Sequence, residues 1–293
     1  MKVAKLLPKL EKEDFKVLKA IEFGMKKSKF VKLSDIRFYA RYKMEETQYR
    51  LDRIHKFGLT MRNTTKTQMA YKLNSFGYDV LALKNIVKRD IISQLGPAIG
   101  KGKESDVYSC IDDEENIYAL KVYRIGRVSF KNVKLYRNLI GKRAHFNWLH
   151  VNRLAAKKEY ENLEILSNYN VKTPTPIAQN RHMIVMEYLR GKELAYFKDI
   201  NYPTYIFEEI IDQMKLIYRK ARLIHGDMGE FNVVCDEEGN VLLIDWLQAV
   251  SADHPNALMF LKRDIDNICN YFGRKFNLES DSGKILKEFL QEE

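Results

Sequence analysis

Three polar residues in the C-terminal third of the chain have the types and the spacing that phosphoryl transfer needs. In the run LIHGDMGEFN, Asp227 is followed five positions later by Asn232, and Asp245 comes next in VLLIDW. The first carboxylate can orient and deprotonate a hydroxyl, whereas the amide and the second carboxylate are hard oxygen ligands for Mg²⁺ on the phosphates of a nucleotide. The spacing therefore predicts a phosphotransferase site. His225 is expected to brace this loop and not to act as the catalyst.

A lysine upstream fits the same chemistry. Lys121 lies in IYALKVY, where alternating apolar residues predict a strand with one covered face. A buried amine is costly without anions nearby, so we expect it to contact nucleotide phosphates and a carboxylate. The helical stretch RLAAKKEYENLEIL offers Glu159 as that carboxylate, with Glu161 or Glu164 as alternatives.

A glycine-containing stretch, IGKGKESDVY, precedes the lysine strand. Gly100 and Gly102 occupy the first two positions of the pattern GxGxxGxV, Ser105 replaces the third glycine, and Val107 fills the apolar position. Glycine would let backbone N–H groups approach phosphate oxygens, and Lys103 and Ser105 would add a cation and a hydroxyl. An ordinary glycine turn between two strands explains the same residues equally well.

The apolar run MIVMEYL predicts a strand that leads to an adenine-binding hinge. Met186 would stand at the back of the nucleotide pocket as a gatekeeper. Backbone atoms of Glu187 and Leu189 would pair with the adenine, an interaction that needs no particular side chain.

Positive charge is concentrated in two places. Residues 1–90 hold 22 Lys and Arg against 10 Asp and Glu, whereas the rest of the chain holds 28 against 29. A polyanionic partner for the N-terminal part is therefore expected. The second concentration, Tyr123–His150, contains seven basic residues, no acid and several aromatic residues. It suits unpaired nucleic acid, with Lys131 and Lys134 as candidate contacts, or else it is a solvated loop whose aromatic residues pack into the fold.

The N-terminal elements predict a winged helix. Apolar residues recur at helical spacing in two short segments, and a third helix over about 45–57 ends at Gly58. A hairpin and a helix capped by Asn74 follow. The third helix places Arg50 and Arg53 on its predicted outer face as candidate nucleic-acid contacts. Winged helices also dock proteins, so that alternative stays open.

The composition narrows the class of protein. A hydrophobic content of 45% is globular, three cysteines without metal-site spacing favour a reduced compartment, and no apolar run is long enough to span a membrane. The first residues, MKVAKLLPKLEKEDF, carry charges where a signal peptide would be apolar. We expect a soluble cytoplasmic protein without a membrane partner.

In combination, GKESDVY, ALKVYR, IHGDMGEFN and IDW resemble the RIO family of atypical protein kinases, and the winged helix resembles the type-two subgroup. The resemblance covers about residues 10–290. It implies an α+β fold with a winged-helix domain at 1–90, a kinase N-lobe at 91–188 with a basic flexible loop at about 124–148, and a C-lobe at 189–293. HGD replaces HRD, DWL replaces DFG, and only 48 residues follow Asp245. The activation loop and the peptide-binding helices of protein kinases are therefore expected to be missing.

The resemblance also implies a function. It suggests a serine protein kinase and ATPase that uses ATP with Mg²⁺, or Mn²⁺ in its place, and that phosphorylates itself, with a transient phospho-aspartate at Asp245. The implied partner is the pre-ribosomal small subunit and its RNA, and the implied state is a monomer. The alternatives are a small-molecule phosphotransferase of the aminoglycoside or choline kinase type and a non-catalytic, ATP-gated RNA-binding assembly factor.

Overall fold

The computed structural model describes residues 1–64, 69–126, 147–188 and 190–291. The chain divides into two compact units. The first consists of Met1–Lys157 with Ile177–Val185, and the second of Lys158–Pro176 with Met186–Glu293.

The first unit begins with the predicted winged helix. A 3₁₀ helix at Lys2–Lys9 precedes helices α1 (Lys12–Gly24), α2 (Leu33–Ala40), α3 (Met44–Lys56) and α4 (Ser75–Lys88). Strands β1 (Val31–Lys32), β2 (Thr60–Thr64) and β3 (Met69–Leu73) form an antiparallel sheet in the order β1-β3-β2. The order of three helices and a hairpin is the winged form of the helix-turn-helix.

Local signals in the sequence set these elements. Helix α3 buries Thr47, Leu51 and Ile54 along one face, as its periodicity predicts. It stops where Gly58 adopts a φ of 72°, a conformation that favours glycine. Asn74 caps α4, because its side-chain oxygen accepts a hydrogen bond of 3.0 Å from the backbone N–H of Gly77.

A five-stranded sheet follows in the order β4-β5-β6-β8-β7. Its strands are β4 (Gln94–Lys101), β5 (Ser105–Ile111), β6 (Ile117–Tyr123), β7 (Pro176–Asn180) and β8 (Met183–Glu187). Cys110, Leu120 and Val122 point to one face of the sheet and join the same hydrophobic core as the winged helix. Residues 1–90 and this sheet therefore share one core.

Two buried polar residues, Asp79 and His182, and the half-buried Arg124 bind the winged helix to the sheet within the first unit. Asp79 of α4 accepts two hydrogen bonds from the guanidinium of Arg124, of 2.6 and 2.8 Å, at the end of β6. The same carboxylate lies 2.7 Å from Nε2 of His182, in the β7–β8 turn. Because a buried carboxylate is stable only with such partners, Asp79 fixes the two parts against each other.

The second unit is mainly helical. Helix α5 (Trp148–Ser167) enters it from the first unit, and α6 (Pro203–Leu216), α7 (Ala257–Phe276) and α8 (Ser282–Leu290) complete it. Short strands form two small sheets: β12 (Val241–Leu243), β11 (Val233–Cys235) and β9 (Lys192–Glu193) form one, and β10 (Leu223–Ile224) with β13 (Val250–Ser251) the other. Within the described residues, no helix is long and apolar enough to cross a membrane.

Candidate active site

The face of the five-stranded sheet opposite the shared core carries the predicted nucleotide-binding residues of the first unit. Gly100 pairs with Val107 across β4 and β5, and Val107 pairs with Lys121 across β5 and β6. Residues in register on antiparallel strands project to the same face, so these three form a row opposite the face that joins the core. Lys121 is 7% exposed. The sequence prediction that it lies on a covered strand is confirmed.

The glycines of this row occupy a tight hairpin between β4 and β5. The N–H of Gly102 donates a 2.8 Å hydrogen bond to the carbonyl of Ser105, and Lys103 is exposed at the turn. A Cβ added at Gly100 would lie 3.7 Å from Val107, and one at Gly102 would lie 3.4 Å from the Ser105 carbonyl. Both are ordinary contact distances, so the hairpin itself does not require glycine at either position. Close approach of a ligand to the backbone remains as a reason for it.

The predicted hinge begins at the end of β8. Met186 is buried, and the N–H of Glu187 donates to the carbonyl of Thr175 at 2.9 Å. The Glu187 carboxylate also accepts from the Thr175 hydroxyl at 2.8 Å and from its N–H at 3.1 Å. An adenine that pairs with Glu187 would therefore use its carbonyl, because its N–H already donates to Thr175.

Three predicted contacts lie outside the described residues. They are the hinge residue Leu189 and the loop residues Lys131 and Lys134. Their roles stay predictions, as does the basic loop that contains the two lysines.

The loop that carries Asp227 follows β10 and turns at Gly226. This glycine has a φ of 77°, and a Cβ there would lie only 2.8 Å from the carbonyl oxygen of Gln248. A side chain would thus clash with backbone as well as strain the conformation. The fold therefore requires the glycine of HGD, where protein kinases of the HRD type have arginine.

Helix α7 holds the backbone of this loop. The buried carboxylate of Asp264 accepts hydrogen bonds from the N–H groups of Gly226, at 2.7 Å, and Met228, at 3.1 Å. Asn267 donates to the Met228 carbonyl at 2.9 Å, and Arg263 donates to the Gly226 carbonyl. Asp227 lies between these two anchored residues, so α7 sets its position.

Sequence reasoning missed Asp264, although a signal for it exists. Leu261, Ile265 and Ile268 form the buried stripe of α7, and Asp264 lies on the same stripe. A carboxylate on the apolar face of an amphipathic helix is costly unless it has specific donors. That rule, applied to KRDIDN, would have indicated a buried acid with a structural task.

His225 braces the loop from inside. Its Nε2 lies 2.9 Å from the Ile244 carbonyl, and its Nδ1 lies 3.3 Å from the N–H of Asp227. This pattern is satisfied by the neutral ring with its proton on Nε2. The imidazole also packs edge-on against Trp246, with ring centroids 4.6 Å apart. These contacts support the structural role that the sequence predicts for His225.

The two predicted metal ligands are brought together by the β11–β12 hairpin. The N–H of Ile244 donates a 2.9 Å hydrogen bond to the carbonyl of Asn232, which places Asn232 beside the turn that holds Asp245. The side-chain NH₂ of Asn232 donates to the Asp227 carbonyl at 2.6 Å. Its Oδ1 is therefore the atom that can bind a metal.

Asp227 and Asp245 each have a further feature that is typical of functional residues. Asp245 has a φ of 67°, a left-handed conformation that costs a non-glycine residue on the order of 1 kcal/mol and that clusters at functional sites. The pKa of Asp227 is raised above its usual value, mainly because surrounding atoms desolvate the carboxylate, with a further contribution from the charge of Asp245. The two carboxylates are thus close enough to influence each other.

Helix α5 holds the turn after Asp245. Glu159 is 1% exposed, and its carboxylate accepts a 3.1 Å hydrogen bond from the N–H of Trp246. Asn162, on the same side of the helix, donates to the Trp246 carbonyl at 2.8 Å. The alternatives Glu161 and Glu164 are exposed. Burial favours Glu159 among the three, and its pairing with the strand lysine stays a prediction.

The donor set suits magnesium. Within the described residues, no group of three or more His, Cys, Asp or Glu side chains could hold a metal ion. Asn232 and Asp245 instead offer an amide oxygen and a carboxylate in adjacent positions. Mg²⁺ is commonly bound by one or two such ligands, with substrate phosphates and water completing its octahedron.

The predicted outer-face position of Arg50 is wrong. Arg50 is buried, and its guanidinium forms ion pairs of 2.6 Å with both Glu11 and Glu46 and contacts Asp14 at 3.4 Å. Arg53 pairs with Asp14 at 3.0 Å and with Glu11 at 3.0 Å. The fully buried Asp14 needs these cations. Both arginines therefore neutralise acids of α1 within the winged helix.

Comparison with known families agrees with this geometry. The RIO domain family matches residues 106–285, and the Rio2 N-terminal family matches residues 7–89. The chain is 40% identical to the serine/threonine-protein kinase rio2 of Dictyostelium discoideum over 93% of its own length and 52% of the relative's. It is 37% identical to the RIO-type serine/threonine-protein kinase Rio2 of Methanocaldococcus jannaschii, over 89% of this chain and 96% of the relative. The chain thus spans about half of the first relative and nearly all of the second.

A solved structure is similar over most of the chain. The crystal structure of the Rio2 kinase–ADP/Mg²⁺–phosphoaspartate complex from Chaetomium thermophilum matches with a TM-score of 0.83 and 30% sequence identity. The match covers 97% of this chain and 88% of the other. The winged helix followed by a kinase-like domain, expected from the sequence, is therefore confirmed.

Proposed function

Since this chain belongs to the RIO kinase family, we propose that it is an ATP-dependent serine protein kinase with ATPase activity that serves maturation of the small ribosomal subunit. The observation that carries the catalytic part is the placement of Asn232, which is hydrogen-bonded to the Asp227 carbonyl and to the N–H of Ile244 next to Asp245. One short hairpin and one anchored loop hold these three residues, whose types are those that phosphoryl transfer from ATP needs.

In this proposal the five-stranded sheet supplies the nucleotide-binding surface. Lys121 would neutralise phosphate oxygens from a buried position where an amine without anions is unfavourable. The hairpin at Gly100 and Gly102 would let backbone N–H groups approach the phosphates, and Val107 would cover the base. Met186 and the Glu187 carbonyl would contact the adenine.

The loop after β10 and the β11–β12 hairpin supply the reacting groups in this proposal. When bound, Mg²⁺ would neutralise charge that develops on the phosphates, and Asn232 and Asp245 are the residues that would hold it. Asp227 would accept the proton of the attacking hydroxyl. Its raised pKa makes it a better base than an ordinary aspartate, and the anchored backbone on either side keeps its carboxylate in place.

We extend the proposal to a phospho-aspartate at Asp245. The Chaetomium relative was solved with a phosphoaspartate, and Asp245 combines a strained backbone with a position next to the other metal ligand. A carboxylate oxygen of Asp245 would attack the γ-phosphorus, the bond from that phosphorus to the bridging oxygen would break, and ADP would leave. Water would then cleave the acyl phosphate to regenerate the carboxylate and release inorganic phosphate.

The proposed setting is the cytoplasm, with the pre-ribosomal small subunit and its RNA as partner. Resemblance to the RIO family motivates this assignment, and the +12 balance of residues 1–90, from 22 basic and 10 acidic residues, supports a polyanionic partner. The cysteines Cys110, Cys235 and Cys269 are free and buried, which suits a reduced compartment.

Turnover of γ-labelled ATP tests the catalytic part. The wild type is expected to release labelled phosphate and to form an acid-labile phosphoprotein. Asp227→Asn should lose turnover, and Asp245→Ala should lose the acid-labile label. Binding of a fluorescent ADP analogue is measured on each variant. Glu238→Gln, in the exposed β11–β12 turn, is the control.

The outcomes separate the alternatives. Nucleotide binding without turnover in the wild type would favour the non-catalytic assembly factor. Efficient phosphorylation of choline or an aminoglycoside would favour the small-molecule phosphotransferase. If Asp227→Asn turned over ATP like the wild type, the assignment of the base would be wrong.

A further inference from the structure

The winged helix has an open cleft between α1 and α2 that the kinase site does not use. Its volume is 710 Å³. Four cations line it, and we call this surface the α1–α2 cleft: Lys16 and Lys19 of α1, with Arg37 of α2 and Arg41 just after it. All four side chains are exposed.

The charges of the cleft are available to a ligand. Over the described parts of the chain, no carboxylate forms an ion pair with any of these four cations, and Lys16 contacts only the ring of Tyr42, at 4.2 Å from its centroid. The contrast with α3 is direct, because Arg50 and Arg53 already neutralise acids of the same domain. Four positive charges of the winged helix are thus accessible at the cleft, whereas Arg50 and Arg53 of α3 are engaged in ion pairs.

Aromatic rings lie among these cations. Phe38 is 76% exposed and Phe23 is 47% exposed. Tyr39 lies between them, with ring centroids 4.8 Å from Phe23 and 5.8 Å from Phe38, both edge-on. An exposed phenylalanine is unfavourable in water, and neighbouring exposed rings usually mark a binding surface. The ammonium of Lys26 lies 5.3 Å from the centroid of the Phe23 ring, so Phe38 offers the larger free ring surface.

From this combination we infer that the α1–α2 cleft binds single-stranded nucleic acid. The four cations would neutralise successive backbone phosphates, and unpaired bases would stack on Phe23 and Phe38. A duplex keeps its bases stacked on one another and offers these rings no free face. An acidic peptide would satisfy the charges but not the rings. The inference rests on the proposed partnership with RNA and assigns it to a surface other than the third helix.

The test is binding of a fluorescein-labelled oligouridylate of about 12 nucleotides to the full chain, followed by anisotropy over a range of salt concentrations. The charge variant is Lys19→Gln with Arg41→Gln. Its matched control is Lys88→Gln with Arg89→Gln, which removes the same charge at the exposed end of α4. The stacking variant is Phe38→Ala.

The control for stacking is Phe76→Ala, which truncates an exposed phenylalanine of α4, 47% exposed, outside the cleft. Thermal unfolding shows whether each variant is folded. Binding of the ADP analogue is measured on the same samples, so that a failure of the kinase assignment is seen separately from a failure of the cleft.

The charge variant should reduce the slope of log affinity against log salt by about 1.4, since each phosphate contact with a single strand contributes roughly 0.7. Phe38→Ala should weaken binding about tenfold and leave the salt slope unchanged. Both controls, the Lys88 and Arg89 double variant and Phe76→Ala, should bind like the wild type.

Three results would overturn the inference. One is equal loss of binding in the cleft variant and in the Lys88 and Arg89 control. Another is the finding that a duplex RNA of the same length binds as tightly and that its binding is unchanged by Phe38→Ala. Binding would then come from general charge attraction and not from stacking. The third is displacement of the oligonucleotide by oligoglutamate at equal charge, which would make an acidic peptide the occupant.

Discussion

Removing the charge of Asp264 should disable the catalytic loop while leaving every predicted catalytic residue in the chain. The Asp264 carboxylate accepts one hydrogen bond from Gly226 and one from Met228, of 2.7 and 3.1 Å, from a side chain that is buried. An Asp264→Asn side chain has one acceptor oxygen, so its NH₂ group would face one of these N–H donors. The loop on either side of Asp227 would lose its fixed geometry.

The magnitude follows from those contacts. A hydrogen bond to a charged group contributes about 1.5–3 kcal/mol, and a buried donor left unpaired costs a similar amount. We therefore expect Asp264→Asn to lower the free energy of unfolding by about 2–3 kcal/mol. We also expect turnover of ATP to fall by at least about tenfold, since a shift of the base by 1 Å can cost more than that.

The assay combines denaturant unfolding with ATP turnover and with binding of the ADP analogue. The matched control is Asp266→Asn on the same helix, which breaks a partly exposed ion pair with Lys262 and weakens a hydrogen bond with Ser282, and which should change stability by about 1 kcal/mol or less. ADP binding should survive in Asp264→Asn, because no predicted nucleotide contact is altered. If Asp264→Asn matched Asp266→Asn in both stability and turnover, α7 would not be what positions Asp227.

Three further predictions concern the backbone, the buried histidine and the ion-pair cluster. Gly226→Ala should lower stability by about 1–3 kcal/mol in denaturant unfolding, since its Cβ would meet the carbonyl of Gln248 at 2.8 Å; unchanged stability would mean that the loop relaxes freely. Burial lowers the pKa of His182 below 6.5. Below that pH, the unfolded chain therefore binds a proton at this histidine more readily than the folded protein does. Stability should therefore fall as pH drops below about 6.5, by up to about 1.4 kcal/mol per pH unit, and His182→Gln should flatten that slope in unfolding curves between about pH 5 and pH 7. Arg50→Gln should lower the free energy of unfolding by about 1–3 kcal/mol and leave oligouridylate affinity unchanged. A parallel loss of affinity would indicate that α3 contacts the nucleic acid.

Local patterns in the sequence predicted much of the fold because they act over short distances. The buried stripe of α3, the stop at Gly58 and the cap at Asn74 each depend on neighbours within one or two helical turns. Alternation also indicates which face of a strand each residue joins, and Val107 and Lys121 do lie in register on one face.

Contacts between distant residues could not be predicted in the same way. Arg50 meets Glu11 and Asp14 across 39 and 36 residues of sequence, and helical periodicity says nothing about which acid a neighbouring helix brings. Arg50, which the sequence placed at the surface, is buried because it pairs with the buried Asp14. Counting charge along the chain therefore gave the total for the winged helix, whereas the exposure of Arg50 depended on its acidic partners at α1.

Hydrogen bonds from buried residues hold the turn that follows Asp245, a predicted metal ligand. The backbone N–H of Trp246 is held by Glu159 at 3.1 Å, its carbonyl by Asn162 at 2.8 Å, and its indole N–H by the carbonyl of Leu243 at 2.8 Å. With the next residue held by three hydrogen bonds, the protein itself stabilises the left-handed backbone of Asp245. Because oriented groups need no reorganisation when the substrate binds, this turn would contribute to catalysis through the buried residues behind it. Glu159 thus also holds the turn that follows Asp245, in addition to any contact with Lys121. Substituting Glu159 should therefore impair the positioning of Asp245 even where Lys121 is intact.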